Sequence, residues 1–279
     1  MSNSENEDDF IAWWERTFAA REDELDSFFG PSHPPDAAEG DVLAFDRCGS
    51  GEYEILIPSG CAHVCPPNPA RGDREIERRN WLYVTVGLSQ PSDPDERPWD
   101  DESRGRKLSG RGVEFAVITA EPGNSVATLL AELMGYHAAR SRLYEGHRMA
   151  GGFYEPEPGK VSWFLGVPER DGVTPLGPTR AFLFWPLLGS PRWYTTETGN
   201  FEILCATNIS AREWEYAKLT SSTHLQLLLC RAGVGQLMSF DRPCTFENPN
   251  HRHESEKLRA ISHDQANTEL RSLRSFRWM

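Results

Sequence analysis

Trp81-Leu82-Tyr83-Val84-Thr85-Val86-Gly87-Leu88-Ser89 is the stretch that decides the fold. Its residues are aromatic and β-branched, types that suit a pleated surface, and it stops at a Gly and a Ser. A polar, Pro-bearing stretch follows from Gln90. Trp81 and Tyr83 fall on one face of the run, and Leu82, Val84 and Val86 on the other. Apolar residues on both faces predict an interior strand covered on both sides.

Upstream, a helix is expected over 9–29, capped by Asp8 or Asp9 and ended by Gly30-Pro31. Phe10, Trp14, Phe18, Leu25 and Phe29 form its apolar stripe, which Arg21 interrupts. A connector covers 32–40, and short strands are expected at 42–46 and 53–58. Downstream, 90–111 reads as a long charged loop with Pro91, Pro94 and Pro98, and a strand resumes at 113–119. A helix over 124–145 buries Val126, Leu129, Leu130, Leu133, Met134 and His137, and 146–159 reads as a loop. Strands at 161–167, 181–188 and 201–206 precede a helix over 210–231, opened by Ser210 and Glu213 as a capping box and weakened at 220–223. A late strand at 235–240 and a charged helical tail over 254–276 complete the chain. Most neighbouring strands are joined by short loops. The fold class is therefore α+β, a mixed, largely antiparallel β-sheet with helices packed on it in a single main domain. The organisation expected is an acidic N-terminal helix and linker over 1–40, the main domain over 41–247, and the tail over 248–279.

Net charge is −13, and the first 41 residues hold twelve Asp/Glu against Arg16 and Arg21. That balance argues against nucleic-acid binding, which draws on Lys and Arg, and suits a basic protein partner. No apolar run approaches the roughly 18 residues that span a membrane. Residues 1–9 lack the basic start and apolar core of a signal peptide, so a cytoplasmic protein with reduced cysteines is expected. Cys61-Ala62-His63-Val64-Cys65 has strand spacing, and His251 and His253 could add nitrogen ligands. No second cysteine pair completes a structural zinc site, so neither metal nor cofactor is expected. His137, His147, Glu145 and Arg148 are the best enzymatic set, yet His137 belongs to a core stripe and His147 and Arg148 sit just past a helix end. Gly110-Arg111-Gly112 reads as a turn, and Gly233-Val234-Gly235 lacks dinucleotide-binding spacing. No catalytic residues are assigned, and the chain reads as a non-enzyme.

Several stretches resemble, in order, the Suppressor of fused family, bacterial branch. Arg21-Glu22-Asp23-Glu24-Leu25-Asp26-Ser27-Phe28-Phe29-Gly30 looks like its opening helix, and 81–89 like its signature strand. Gly112-Val113-Glu114-Phe115 is similar to its Gly-x-Glu-aromatic strand. Phe182-Leu183-Phe184-Trp185-Pro186-Leu187 resembles its apolar strand with a late Pro, and 201–213 its strand leading into a capped helix. The match covers about 10–243, with the acidic 90–111 stretch departing from the pattern. The resemblance implies a non-enzymatic protein-binding module. In the bacterial branch it implies an immunity protein that neutralises a basic polymorphic toxin domain by direct binding; a general regulatory or scaffold role is the alternative, and a hydrolase with an unrecognised site a distant one. The contact surface expected is the acidic half of 90–111, namely Asp93, Asp95, Glu96, Trp99, Asp100, Asp101 and Glu102, with Trp99 as an aromatic anchor.

Overall fold

The computed structural model describes residues 3–29, 62–65, 80–91, 99–101, 106–120, 124–139, 142–157, 160–165, 174–239 and 241–274. The strands expected at 42–46 and 53–58 lie outside the described residues. The first helix, α1, runs Asn3–Phe29. Strands β1 (Ala62–Cys65), β2 (Trp81–Thr85), β3 (Trp99–Asp101) and β4 (Arg106–Thr119) lead to α2 (Asn124–Ala139). Then come β5 (Arg148–Glu157), β6 (Lys160–Leu165), β7 (Pro175–Leu176), β8 (Thr179–Pro186), β9 (Tyr194–Thr196) and β10 (Gly199–Ser210). The C-terminal part holds α3 (Ala211–Leu219), α4 (Ser222–Arg231), β11 (Leu237–Met238), α5 (Pro249–Arg259) and α6 (His263–Arg274).

All the strands join one sheet in the order β1-β2-β4-β10-β8-β5-β6, with β3 and β11 on β4, β9 on β10 and β7 on β5. It is mixed and mostly antiparallel: β4 runs parallel to β10 and β11, and the remaining pairings are antiparallel. The α+β class read from the sequence is the one observed. β2 lies between β1 and β4 and is covered on both sides. Tyr83 packs with α2 residues Leu129, Leu130 and Leu133, while Leu82, Val84 and Val86 pack with Leu25 and Phe29 of α1. On β10, Leu204 and Ala206 face the α2 layer, and Phe201, Ile203 and Cys205 face the α1 layer. Beside α1 on that second face, α3 to α6 bury Ala181, Leu183 and Trp185 of β8. The molecule is therefore three layers, with α2 on one face of the sheet and the other helices opposite.

Several boundaries differ from the sequence reading. The 90–111 stretch is not one loop: it contains β3, and β4 begins at Arg106, so Gly110-Arg111-Gly112 lies inside a strand rather than forming a turn. The 146–159 stretch is mostly β5, whose Gly151 and Gly152 are buried against Leu165 and Phe164 of β6. α2 stops at Ala139, short of residue 145, and the chain turns at Gly146, where φ is +81° and the amide bonds Phe184 O. His147 and Arg148 accordingly open a strand rather than trail a helix. The helix expected over 210–231 is two, because the Ser221 side chain accepts from His224 N and starts a new helix. The charged tail is also two helices, packed rather than frayed, with Leu258, Ala266 and Leu270 buried under α4.

Candidate functional site

The quoted strand, α1 and the Gly-x-Glu-aromatic stretch meet in a buried polar clasp. Glu114 on β4 is almost fully buried. Its Oε1 accepts from Gly87 N at 3.0 Å, Ser89 N at 2.8 Å and Ser89 Oγ at 2.6 Å. Its Oε2 accepts from Thr85 Oγ1 at 2.6 Å, and Thr85 Oγ1 accepts in turn from Phe115 N at 2.8 Å. One carboxylate thus satisfies the backbone where β2 ends, which explains a Thr, a Gly and a Ser at those spacings. Burial raises the Glu114 carboxyl above the ordinary range, and the bonds from Ser89, Thr85 and Gly87 oppose that rise.

Arg21 completes the clasp from α1. It is 1% exposed, and its Nε donates to Ser89 Oγ at 3.1 Å, making that hydroxyl a bridge between Arg21 and Glu114. Its Nη2 reaches Ser89 O at 2.6 Å, Ser109 Oγ at 2.5 Å and Thr198 Oγ1 at 2.7 Å, and its Nη1 donates to Thr17 O. Burial brings its pKa down to about 10, against the pull of the Glu114 and Glu197 carboxylates. In the sequence Arg21 is a gap in the apolar stripe and opens the stretch that resembles the family's first helix. A cation inside such a stripe is itself the signal that a buried acceptor waits opposite.

Ser109 is delivered by a bulge. Asn200 opposes Leu108 while Glu202 opposes Val113, so β4 carries extra residues between those two pairs. At Gly110, φ is +50° and an added Cβ would lie 2.5 Å from Gln90 O. Only glycine lets the two flanks of the 90–111 stretch approach so closely. Arg111 N bonds Leu88 O, Ser109 Oγ donates to Ser89 O, and Gln90 Nε2 donates to Thr17 Oγ1. Both ends of the candidate contact segment are therefore fastened to each other and to α1.

Of the predicted contact residues, Trp99, Asp100 and Asp101 form β3, paired with Leu108, Lys107 and Arg106 of β4. Asp93, Asp95, Glu96 and Glu102 lie outside the described residues. The β9–β10 hairpin adjoins this end of the sheet, with Asn200 Nδ2 donating to Lys107 O at 2.9 Å.

The enzymatic candidates separate. His137 is buried, its Nδ1 accepts from Leu143 N at 2.9 Å, and its ring meets Phe115 edge-on. Burial, then Arg142 and Arg111, push its pKa down to about 4, so it is a neutral core histidine. The His147 ring meets Tyr144 at a tilt, whereas Glu145 pairs with Arg192 at 2.9 Å and the Arg148 guanidinium lies over Trp214. Ser221 Oγ sits 2.7 Å from His224 Nδ1, but that hydroxyl caps α4 and accepts from His224 N. Glu213 closes the Ser210 capping box and is gripped by both Nη atoms of Arg242, which holds its carboxyl below the ordinary range despite burial. Cys205 is a core thiol, raised by burial. Cys61 lies outside the described residues; among those described, no group of three His, Cys, Asp or Glu could hold a metal ion. Among the same residues, no helix is long and apolar enough to cross a membrane.

Among solved structures the chain is similar to the Sufu–Fu complex, with TM-score 0.54 and 15% identity over 88% of this chain and 98% of that chain. It is also similar to Drosophila Suppressor of Fused, with TM-score 0.45 and 16% identity over 64% of this chain and 42% of that one. A Suppressor of fused homologue from Neisseria gonorrhoeae FA 1090 gives TM-score 0.36 and 15% identity over 66% of this chain and 87% of that one. The chain thus spans less than half the length of the Drosophila protein. No protein-family model matches, and no curated protein matches. At these identities the likeness is one of fold, and the fold is Suppressor of fused-like.

Proposed function

We propose that this chain is a non-enzymatic protein-binding module that neutralises a basic toxin domain by direct binding, as an immunity protein, with the β3 segment in the contact. The observation that carries the reading is the fastened base of 90–111, which supports an acidic, Trp-bearing segment at one end of the sheet. A segment held at both ends loses less entropy on binding. Its acidic residues Asp93, Asp95, Glu96, Asp100, Asp101 and Glu102 would speed encounter with a basic surface and make binding salt-sensitive. The buried carboxylates and His137 are engaged in holding the fold, which supports a role without catalysis, metal or cofactor. On this reading the protein acts in the cytoplasm and binds neither nucleic acid nor membrane. A general regulatory or scaffold module is the second reading, favoured by the likeness to the Sufu–Fu complex.

The test is titration of the full chain against the product of a toxin gene beside its own. Trp99→Ala combined with Asp100→Asn, Asp101→Asn and Glu102→Gln should weaken binding by at least about 2 kcal/mol, roughly thirtyfold. Unchanged affinity at low salt places the interface elsewhere. Absence of any complex with such a toxin removes the immunity reading and leaves the regulatory one.

A further inference from the structure

We propose that the N-terminal half of α1 is a second contact surface, built to take a basic, apolar-anchored segment of a protein partner. The inference rests on the protein-binding reading above but is independent of the 90–111 segment. α1 has 27 residues, about 40 Å at 1.5 Å per residue. Its buried stripe is Thr17, Arg21, Leu25 and Phe29, at four-residue steps. Phe10 and Trp14 continue that stripe toward the N-terminus but are only half-buried, as are Trp13 and Phe18. The body of the protein therefore covers the last part of the stripe and leaves the first part partly open.

The open part is aromatic and ordered. The Phe10 and Trp13 rings lie 5.8 Å apart, and Trp14 stacks on Phe18 at 5.2 Å. Ile11 beside them is 47% exposed. Large, stiff aromatic rings gathered this way are the residues that anchor protein contacts.

Charge selects the occupant. Arg16 and Arg21 are the only cations of α1, and Arg21 is consumed inside the clasp. Arg16 lies 3.7 Å from Glu197, so the helix's one exposed cation already faces a carboxylate. Asp9 and Glu15 are exposed beside the ridge, and Glu22 and Asp23 are exposed about a turn beyond it. Beyond the ridge, burial and then the neighbouring Asp26 and Asp23 raise the Glu22 carboxyl above the ordinary range. An aromatic ridge rimmed with carboxylates thus favours apolar side chains flanked by basic ones. An anionic bilayer is the wrong occupant, because helices lying on such surfaces carry basic polar faces.

The experiment uses the full chain and two labelled synthetic helical peptides of equal length, one of Lys and Leu, the other of Glu and Leu. Fluorescence anisotropy should show saturable binding of the Lys/Leu peptide that weakens with salt, and none of the Glu/Leu peptide. Trp13→Ser together with Ile11→Ser should lower the affinity at least tenfold. Ile11 is half exposed, so Ile11→Ser alone carries the test if the double variant melts early, with at least a threefold loss. Undiminished binding by these variants, equal binding of the Glu/Leu peptide, or preferential binding to phosphatidylserine vesicles each overturns the assignment. If Trp99→Ala with Asp100→Asn and Asp101→Asn abolishes peptide binding while the α1 variants do not, the protein-binding reading stands and the α1 surface fails.

Discussion

Glu114 offers the sharpest test of how this fold is held. Four donors converge on its carboxylate at 2.6–3.0 Å: two backbone amides and two hydroxyls. Glu114→Ala leaves them facing a void and leaves Arg21 without its buried counter-charge. Each orphaned buried donor costs about 1–3 kcal/mol, and partial rescue by water still leaves a loss of about 5 kcal/mol. That is the whole stability of many domains, which span roughly 5–15 kcal/mol. Glu114→Gln is the gentler probe. Its oxygen still accepts from Gly87 and Ser89, but its amide nitrogen meets Thr85 Oγ1 as a second donor, so the charge and the acceptor of the Thr85 hydroxyl are lost, at about 2–3 kcal/mol. Urea unfolding followed by tryptophan fluorescence measures both. A double-mutant cycle of Glu114→Gln with Arg21→Met should give a coupling of at least about 1 kcal/mol, because Ser89 Oγ bonds both side chains. If Glu114→Ala lost under about 1 kcal/mol, or the two changes added within about 0.3 kcal/mol, the clasp would not be a unit.

His137 and Gly110 give two further outcomes. His137 has its folded pKa lowered to about 4 from 6.5, so the unfolded chain binds the extra proton between those values. Its contribution is complete above pH 6.5 and is lost as pH falls toward 4, about 3 kcal/mol in all. The difference in urea stability between wild type and His137→Gln should shrink by that amount over the window; a pH-independent difference would refute it. Gly110→Ala should cost about 3 kcal/mol in a thermal melt, since φ is +50° and the new Cβ meets Gln90 O at 2.5 Å. A loss of a few tenths of a kcal/mol would mean that the bulge relaxes freely.

What could be read from sequence was what repeats with a period. Leu82, Val84 and Val86 against Tyr83 gave β2 its two faces, Leu129, Leu130 and Leu133 gave α2 its buried side, and Ser210 with Glu213 gave the start of α3. Gly151 and Gly152 misled because glycine usually marks a turn. Here both are buried in β5, which pairs directly with the next strand, β6, and glycines inside a strand carry no side chain by which alternation could reveal it. Arg21, Ser89, Ser109 and Thr198 carry no shared motif, and only the fold brings them together. For the candidate contact residues, sequence supplied the acidic character of the first half of 90–111 but neither the strand at Trp99–Asp101 nor the fastening at its base.

The clasp also sets a schedule for biosynthesis. Arg21 bonds Thr198, 177 residues later in the chain. At about 5–20 residues per second, a ribosome takes roughly 10–35 s to make that interval. Throughout it α1 has emerged while the hairpin that locks it does not yet exist, so its aromatic stripe waits in water without its final cover. The six carboxylates of Asp9, Glu15, Glu22, Asp23, Glu24 and Asp26 give the waiting helix an excess of negative charge, which disfavours contact with another copy of itself.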